Sequence, residues 1–325
     1  MKSTRLIAGH VAACNGVKLG WHLLIVISGR HYDLKVSIPP LKTSAKTFKI
    51  EAVATTTQIS APPRTASPLA LWHLLSLDAP TVATLWTVFV ARATQTALPA
   101  VVPAAMFLTV WILYAADRLL DTRHLDSLGR TRVPELEARH LFHFRHRRTF
   151  IAIIPFAAIA VATLLSGLLT ATLHLYLIEG TLLAGWFVLV HNTHLRLPKE
   201  LVVGLYFATA IFTPTLVRQS QPNVVLLVCA ALFAVLCTLN CLFIHAWEDG
   251  LYAARSQLKI AALVLCIASI ALLTISASAI PVAIAFAAGV LLGMDRLRCR
   301  LSRMHLRAAA DLALLTPALI LPFLR

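Results

Sequence analysis

Residues 111–121 read WILYAADRLLD and end an apolar stretch that begins near residue 97. A helix of roughly 20 apolar residues is long enough to cross the hydrocarbon core of a bilayer. On such a helix Tyr114, Asp117 and Asp121 are spaced at i, i+3 and i+7, which places them on one stripe near the membrane surface. This stretch therefore predicts a membrane-spanning helix that carries acids at one end.

Apolar stretches of similar length follow one another along most of the chain, separated by short polar breaks. We count nine, at about 69–93, 97–120, 148–171, 173–191, 200–217, 222–247, 258–276, 278–294 and 308–324. The 325 residues are 58% hydrophobic and only 13% charged, which excludes an ordinary soluble domain. The stretches are too long and too continuously apolar for the alternating strands of a barrel. The predicted fold class is therefore all-α, a polytopic membrane protein with about nine transmembrane helices.

Residues 1–67 differ from everything that follows them. They are polar and basic, with proline pairs at residues 39–40 and 62–63. Their one clear apolar run, residues 21–28, is too short to span a bilayer. We therefore expect a poorly ordered basic N-terminal extension over residues 1–67 and a transmembrane helical domain over residues 68–325.

Lys and Arg residues cluster in the breaks after the second, fourth, sixth and eighth stretches. Sixteen of them lie on this side, against three on the other, which are Arg92, Arg218 and Arg325. Because cytoplasmic loops carry an excess of basic residues, the N-terminus is predicted to be cytoplasmic and the C-terminus outside, in an inner or cytoplasmic membrane. The basic residues flank apolar stretches, so the net charge of +15 indicates contact with the lipid bilayer and no nucleic acid partner.

Asp117 and Asp121 lie one helical turn apart at the predicted cytoplasmic end of the second stretch. Their carboxylates repel each other unless a cation lies between them. Mg²⁺ is commonly held by one or two carboxylates together with phosphate oxygens of a substrate. The pair therefore predicts a magnesium site, although a helix end wetted by water explains the same residues. Asp78, near the start of the first stretch, is on the same side and is a weaker candidate for this site.

The sixth stretch ends in a second polar group, and residues 240–250 read NCLFIHAWEDG. Asn240 and Trp247 lie within about 20° of each other around a helix, and Glu248 is about 80° away. An amide inside the span and an acid at its cytoplasmic end thus share one broad face, with Asp249 next in the chain. The alternative is an interhelical hydrogen bond at Asn240 and ordinary loop charges at Glu248 and Asp249.

Nine helices, with one acidic motif ending the second and another ending the sixth, resemble the UbiA superfamily of intramembrane prenyltransferases. In that family the two motifs read N-D-x-x-D-x-x-x-D and D-x-x-x-D. Asp117 and Asp121 match the last two acids of the first motif, where Leu113 and Tyr114 replace the Asn and the first Asp.

The second motif is also matched in part. Glu248 or Asp249 supplies one acid, and Ile244 or His245 stands four residues before it. The resemblance implies a UbiA-like bundle that transfers a prenyl group from a prenyl diphosphate to an aromatic or lipid-like, membrane-soluble acceptor. It implies Mg²⁺ as the cofactor, with four catalytic metal ligands, Asp117, Asp121, Glu248 and Asp249.

Basic, polar and aromatic side chains near the two motifs are the candidate substrate-binding residues. Cationic groups would neutralise charge on the departing diphosphate, and aromatic faces would stabilise an allylic cation. The candidates are Tyr114, Arg118, Arg123, Lys199, Asn240, Trp247 and Arg255. The aromatic ones are equally explained as interfacial anchors. Because half of the expected motif acids are replaced, the alternative function is a non-catalytic UbiA-like membrane protein that binds a lipid or quinone-like ligand or supports a membrane complex.

Overall fold

The computed structural model describes the backbone over most of the chain. The described residues are 5–11, 20–27, 30–37, 68–128, 138–192, 199–221, 223–248, 252–301 and 303–324. They divide into two compact units, Met1–Thr65 and Ala66–Arg325. Each unit is described by itself below.

The first unit contains a three-stranded antiparallel sheet. Its strands are β1 (Arg5–Val11), β2 (Gly20–Ile27) and β3 (Arg30–Ser37), with β2 in the centre. Gly20 pairs with Val11 on one side and with Ser37 on the other. The apolar run that is too short to span a bilayer forms most of β2, where leucine, isoleucine and valine favour extended backbone. Our sequence analysis did not predict these strands, and poor order in the rest of the extension stays a prediction.

The second unit is helical throughout its described residues. Its helices are α1 (Pro68–Leu74), α2 (Asp78–Ala93), α3 (Val101–Leu128), α4 (Ala138–Arg145), α5 (Arg147–Leu165), α6 (Thr170–Asn192), α7 (Lys199–Leu216), α8 (Val224–Glu248), α9 (Tyr252–Leu272), α10 (Ala279–Leu297), α11 (Arg303–Ala313) and α12 (Pro317–Ile320). Short 3₁₀ turns follow at Arg298–Arg300 and Leu321–Phe323. Each apolar stretch read from the sequence coincides with one helix or with a consecutive pair of helices. The all-α prediction is therefore confirmed for this unit.

Four helices of the described residues are long and apolar enough to cross a membrane. They are Val101–Leu120, Arg147–Leu165, Val224–Trp247 and Ala279–Leu297. A fifth is added if Leu306–Ala313 and Pro317–Phe323, which meet at a bend of 43°, form one span. Two of the other stretches form shorter apolar helices: α2 has 16 residues, and the apolar part of α9 covers only Ser256–Leu272. The described residues thus contain four or five candidate membrane-spanning helices, and the full count of nine stays a prediction.

Large apolar side chains face outward on several helices. Phe156 of α5 is 73% exposed, and Ile151 and Ile159 on the same helix are exposed as well. Ile260 and Ile267 on α9 repeat the pattern. Soluble proteins rarely expose so large an apolar surface, whereas hydrocarbon solvates it at no cost. The outer face of the bundle therefore fits a lipid environment.

The core is centred on α2, which packs against α3 and α7 and contacts α8 through Trp86. Trp86 and Phe89 of α2 are fully buried, as are Phe212 of α7 and Phe233 of α8. The ring centroids of Trp86 and Phe233 lie 4.3 Å apart, and those of Phe212 and Phe233 lie 5.8 Å apart. Aromatic packing of this kind fixes the distances between the three helices.

The first apolar stretch is broken between α1 and α2 by a tight turn at Ser76. Ser76 has a φ of 56°, and its N–H donates to the carbonyl of His73 at 3.1 Å. The N–H of Leu77 donates to the carbonyl of Trp72 at 3.0 Å. This pair of bonds around a left-handed residue is the Schellman arrangement that ends a helix. It reverses the chain locally, so α2 begins at Asp78 with its side chain next to the end of α1.

The last apolar stretch is broken as well, between the end of α11 and Pro317. At each break one backbone carbonyl has no partner inside its own helix, and each of these carbonyls accepts a hydrogen bond from a tryptophan indole. Nε1 of Trp111 donates to the carbonyl of Leu75 at 3.1 Å, and Nε1 of Trp86 donates to the carbonyl of Leu314 at 2.7 Å. These indoles supply the hydrogen bonds that a membrane interior cannot.

The crossing of α7 and α8 depends on the absence of a side chain at Gly204. A Cβ there would lie 2.3 Å from Oγ1 of Thr238 and 2.6 Å from the carbonyl oxygen of Ala234. We expect Gly204→Ala to lower the free energy of unfolding by about 1–3 kcal/mol, because the backbone of α8 must move away. The measurement is thermal unfolding of the purified protein in detergent.

Gly289→Ala on α10 is the matched control, since nothing lies within 4 Å of its added Cβ. Alanine is a better helix former than glycine, so this variant should melt at the wild-type temperature or slightly above it. Equal melting temperatures for the two variants would show that α7 and α8 are not in close contact at Gly204.

Candidate functional site

Three ionisable side chains meet inside the helical unit, where the first and last apolar stretches come together. Nδ1 of His73, at the end of α1, lies 2.8 Å from Oδ2 of Asp78, at the start of α2. Asp311 of α11 completes the group, and one nitrogen or oxygen atom of each residue lies within 4.8 Å of the others. His73 is 6% exposed and Asp78 is 8% exposed. We call these three residues the His73–Asp78–Asp311 cluster.

The turn at Ser76 is what brings His73 and Asp78 together. His73 lies in the last turn of α1, and the reversal of the chain returns Asp78 to it five residues later. Oδ1 of Asp78 also accepts from its neighbour, the N–H of Ala79, at 3.0 Å. That contact lies at the N-terminus of α2, where the helix dipole favours a negative charge. The local fold therefore holds Asp78 as a carboxylate directed at the imidazole.

Asn240 of α8 closes one side of this cluster. Its Nδ2 donates to Oδ1 of Asp311 at 3.4 Å, and the residue is only 5% exposed. Its Oδ1 has no hydrogen-bond partner among the described residues. A buried amide oxygen without a partner costs free energy, so the residue that contacts Asp311 also carries an unmet acceptor.

Positive and aromatic groups surround the cluster. Arg118 of α3 interacts electrostatically with Asp78, and Arg307 of α11 interacts with Asp311. Tyr114 of α3 is within electrostatic range of both acids. Polar residues from α1, α2, α3, α8 and α11 thus lie near one another within an apolar bundle. We use "polar chamber" for the cluster together with Asn240, Tyr114, Arg118 and Arg307.

The two sequence motifs contribute to this chamber only in part. Tyr114, Arg118 and Asn240 are among its members. Asp117 is not grouped with the cluster: its carboxylate is 36% exposed and lies 3.9 Å from the guanidinium of the adjacent Arg118. Lys199, the first residue of α7, is exposed.

The other predicted site residues are described only as backbone or not at all. Asp121 and Arg123 lie on α3, Glu248 is the last residue of α8, and Arg255 lies in the first turn of α9, but the structure does not describe their side chains. Asp249 lies outside the described residues. Whether these residues bind Mg²⁺ or a diphosphate stays a prediction.

Trp247, which we also predicted to bind substrate, takes part in a different polar network. Its Nε1 donates to Oδ1 of Asp295 on α10 at 2.9 Å. Nζ of Lys259 lies 2.9 Å from Oδ2 of Asp295, and a guanidinium nitrogen of Arg298 lies 3.4 Å from the same atom. The Asp295 side chain is fully buried. The bonds of the Asp295 carboxylate described here link α10 to α8, to α9 and to the 3₁₀ turn after α10, which is the pattern of a structural contact.

Sequence reasoning missed three of the residues that matter here, and each for a physical reason. His73 and Asp311 stand alone in apolar surroundings, with no motif spacing, and Asp295 reads as part of a basic loop. Asp78 was recognised as a candidate, but below Asp117. The available signal was the position of Asp78 and Asp311: both lie inside apolar stretches, where an acid is costly and is often functional.

Comparisons with protein-family models, with curated proteins and with solved structures found no match to this chain. The geometry of the polar chamber is therefore the basis for the functional argument.

The Asp295 network gives a prediction about stability. Asp295→Asn should lower the free energy of unfolding by about 2 kcal/mol, because an amide cannot balance two cations and accept from Trp247 at once. Trp247→Phe removes only one hydrogen bond and should cost about 1 kcal/mol. Thermal unfolding in detergent measures both changes.

Asp117→Asn is the control, since its half-exposed pair with Arg118 should contribute less than about 1 kcal/mol. If Asp295→Asn melted no lower than Asp117→Asn, the network would have no structural role.

Proposed function

We propose that this chain is a UbiA-like membrane prenyltransferase with about nine transmembrane helices. It transfers a prenyl group from a prenyl diphosphate to an aromatic or lipid-like acceptor, with Mg²⁺ as its cofactor. The observation that supports this function is the polar chamber itself: acids, arginines, an amide and a tyrosine converge inside a bundle with an apolar outer face. A ligand with a charged head and a long apolar tail requires that combination.

Three of the proposed magnesium ligands lie on α3 and α8, the helices that carry Tyr114 and Asn240, and the fourth, Asp249, follows α8 in the sequence. Asp117 and Asp121 follow Tyr114 on α3. Glu248 is the last residue of α8, the helix that carries Asn240, and Asp249 is the next residue in the sequence. In this proposal these residues would hold Mg²⁺, whose role would be to neutralise charge on the leaving diphosphate.

The protein's own side chains would do the rest of the work. Arg118 would bind phosphate oxygens together with Arg123, Lys199 and Arg255, and the faces of Tyr114 and Trp247 would stabilise the allylic cation. The apolar helices would hold the prenyl tail and exclude water from that cation. The membrane orientation in the proposal is the one that the basic loops predict, with the N-terminus cytoplasmic and the C-terminus outside.

A second candidate is a non-catalytic membrane protein that binds a lipid or a quinone-like molecule, or that supports a membrane complex. One observation favours it. Asp117 is paired with Arg118 and lies apart from the buried acids, and Leu113 and Tyr114 occupy the other positions of the first motif. A diphosphate site with fewer acids would hold Mg²⁺ weakly.

Binding of a non-hydrolysable prenyl diphosphate to the detergent-purified full chain tests the two candidates. The enzyme requires binding that depends on Mg²⁺ and falls at least tenfold in Asp117→Ala plus Asp121→Ala, because two of the proposed ligands are then lost. Glu135→Ala plus Glu137→Ala removes the same charge from the following loop and should leave the affinity unchanged.

A prenyl alcohol of the same chain length, which has the prenyl chain but no diphosphate, separates the contribution of the diphosphate from that of the prenyl chain. Binding of the alcohol and the diphosphate with equal affinity, with no effect of Mg²⁺ or of the aspartate variants, would exclude the transferase and favour the second candidate.

A further inference from the structure

The His73–Asp78–Asp311 cluster brings two carboxyl groups and one imidazole together in a small space. Two carboxylates lie within 4.8 Å of each other and of one imidazole nitrogen, and that nitrogen is directed at Asp78. Two acids this close cannot both stay ionised in a buried place unless a cation or a proton lies between them. Arg118 and Arg307 belong to α3 and α11 and act on one acid each. The cluster therefore needs a positive species in its centre.

Asn240 supplies an independent indication that this species is a bound ligand. The residue is 95% buried, as its 5% exposure implies, and its amide is in contact with Asp311 through Nδ2. The oxygen of the same amide group has no partner among the described residues. A proton shared between Asp78 and Asp311 would leave that oxygen unpaired, whereas a metal ion or a metal-bound water would pair it.

The donor set then selects the class of metal. Imidazole nitrogen and carboxylate oxygen are both ligands that zinc accepts, and three protein ligands leave the fourth position open for water or substrate, as in catalytic zinc sites. Mg²⁺ prefers an all-oxygen shell, so the histidine favours a transition metal over magnesium. Zinc ligands lie at about 2.1 Å from the ion and hence about 3.4 Å from one another. The most separated ligand atoms of the cluster, within 4.8 Å, must therefore approach by no more than about 1.4 Å, and the His73–Asp78 pair, at 2.8 Å, must open by about 0.6 Å.

We propose that His73, Asp78 and Asp311 bind one divalent transition-metal ion, with Zn²⁺ as the best match, and that the amide oxygen of Asn240 faces its open position. This site uses none of the proposed magnesium ligands, and it does not rest on the proposed function. It joins the break between α1 and α2 to α11, so the ion ties the first apolar stretch to the last.

Zinc content of the full chain tests the site directly. The purified protein is treated with a chelator, incubated with Zn²⁺, desalted and analysed by mass spectrometry of its metal content. We expect about one Zn²⁺ per chain in the wild type and at least a tenfold weaker affinity in Asp311→Asn, which keeps the shape of the side chain. Asp117→Asn plus Asp121→Asn should bind Zn²⁺ like the wild type, and this result separates the site from the magnesium proposal.

Cysteine thiols are the main competing ligands, since five lie in the helical unit, namely Cys229, Cys237, Cys241, Cys266 and Cys299. Co²⁺ substitution distinguishes them, because thiolate ligation gives an intense charge-transfer band and nitrogen–oxygen ligation does not. Zinc that remains bound in Asp311→Asn, or Co²⁺ with a thiolate band, would overturn the proposal, as would a wild type that retains no zinc.

If Asp311→Asn does not fold, Asn240→Asp is a second variant that tests whether the cluster binds zinc. A third acid beside two others should lower the melting temperature when metal is absent. At a metal site Zn²⁺ should restore that loss and bind at least as tightly as in the wild type. If Zn²⁺ gave the variant no recovery, the cluster would be a pair of carboxylates that share a proton.

Discussion

Hydrocarbon cannot pair a backbone carbonyl, and this constraint shapes the centre of the helical unit. The first and last apolar stretches both break, at Ser76 and after Ala313, and each break leaves a carbonyl that a continuous helix would have satisfied. Indoles from other helices, Trp111 and Trp86, satisfy them. The breaks in turn place His73, Asp78 and Asp311 in one buried region. The polar chamber therefore depends on the two tryptophan contacts.

The two buried polar networks of the bundle differ in how completely they are satisfied. Asp295 has an indole and two cations around its carboxylate, so its charge is balanced within the protein. The cluster around Asp311 has two acids, one imidazole and an amide oxygen without a partner. A closed network is sufficient to hold three helices together. The network around Asp311 contains an acceptor without a partner, so it has room for a bound ligand. That difference is our reason for locating the function at the polar chamber.

Sequence periodicity and hydropathy predicted correctly the features that depend on residues close together in the sequence. Every apolar stretch is helical because an apolar run of this length has no other way to pair its backbone in a membrane. The stripe through Tyr114 and Asp117 follows from the same helical geometry. Motif matching was less informative, because it selected acids by their spacing. Asp117 has the right spacing, but it is half exposed and paired with its neighbour Arg118.

Composition and order along the chain were enough to predict a helical domain after residue 67, the approximate limits of its helices and which of them are apolar enough to cross a membrane. The identity of the central site was decided by packing. Asp78 and Asp311 are 233 residues apart, and Asn240 comes from a third helix, so no local pattern relates them. Contact between such residues depends on which helices are neighbours and on where each helix breaks. Those features arise from side-chain packing across the whole bundle, such as Gly204 against Thr238 and Trp86 against Phe233.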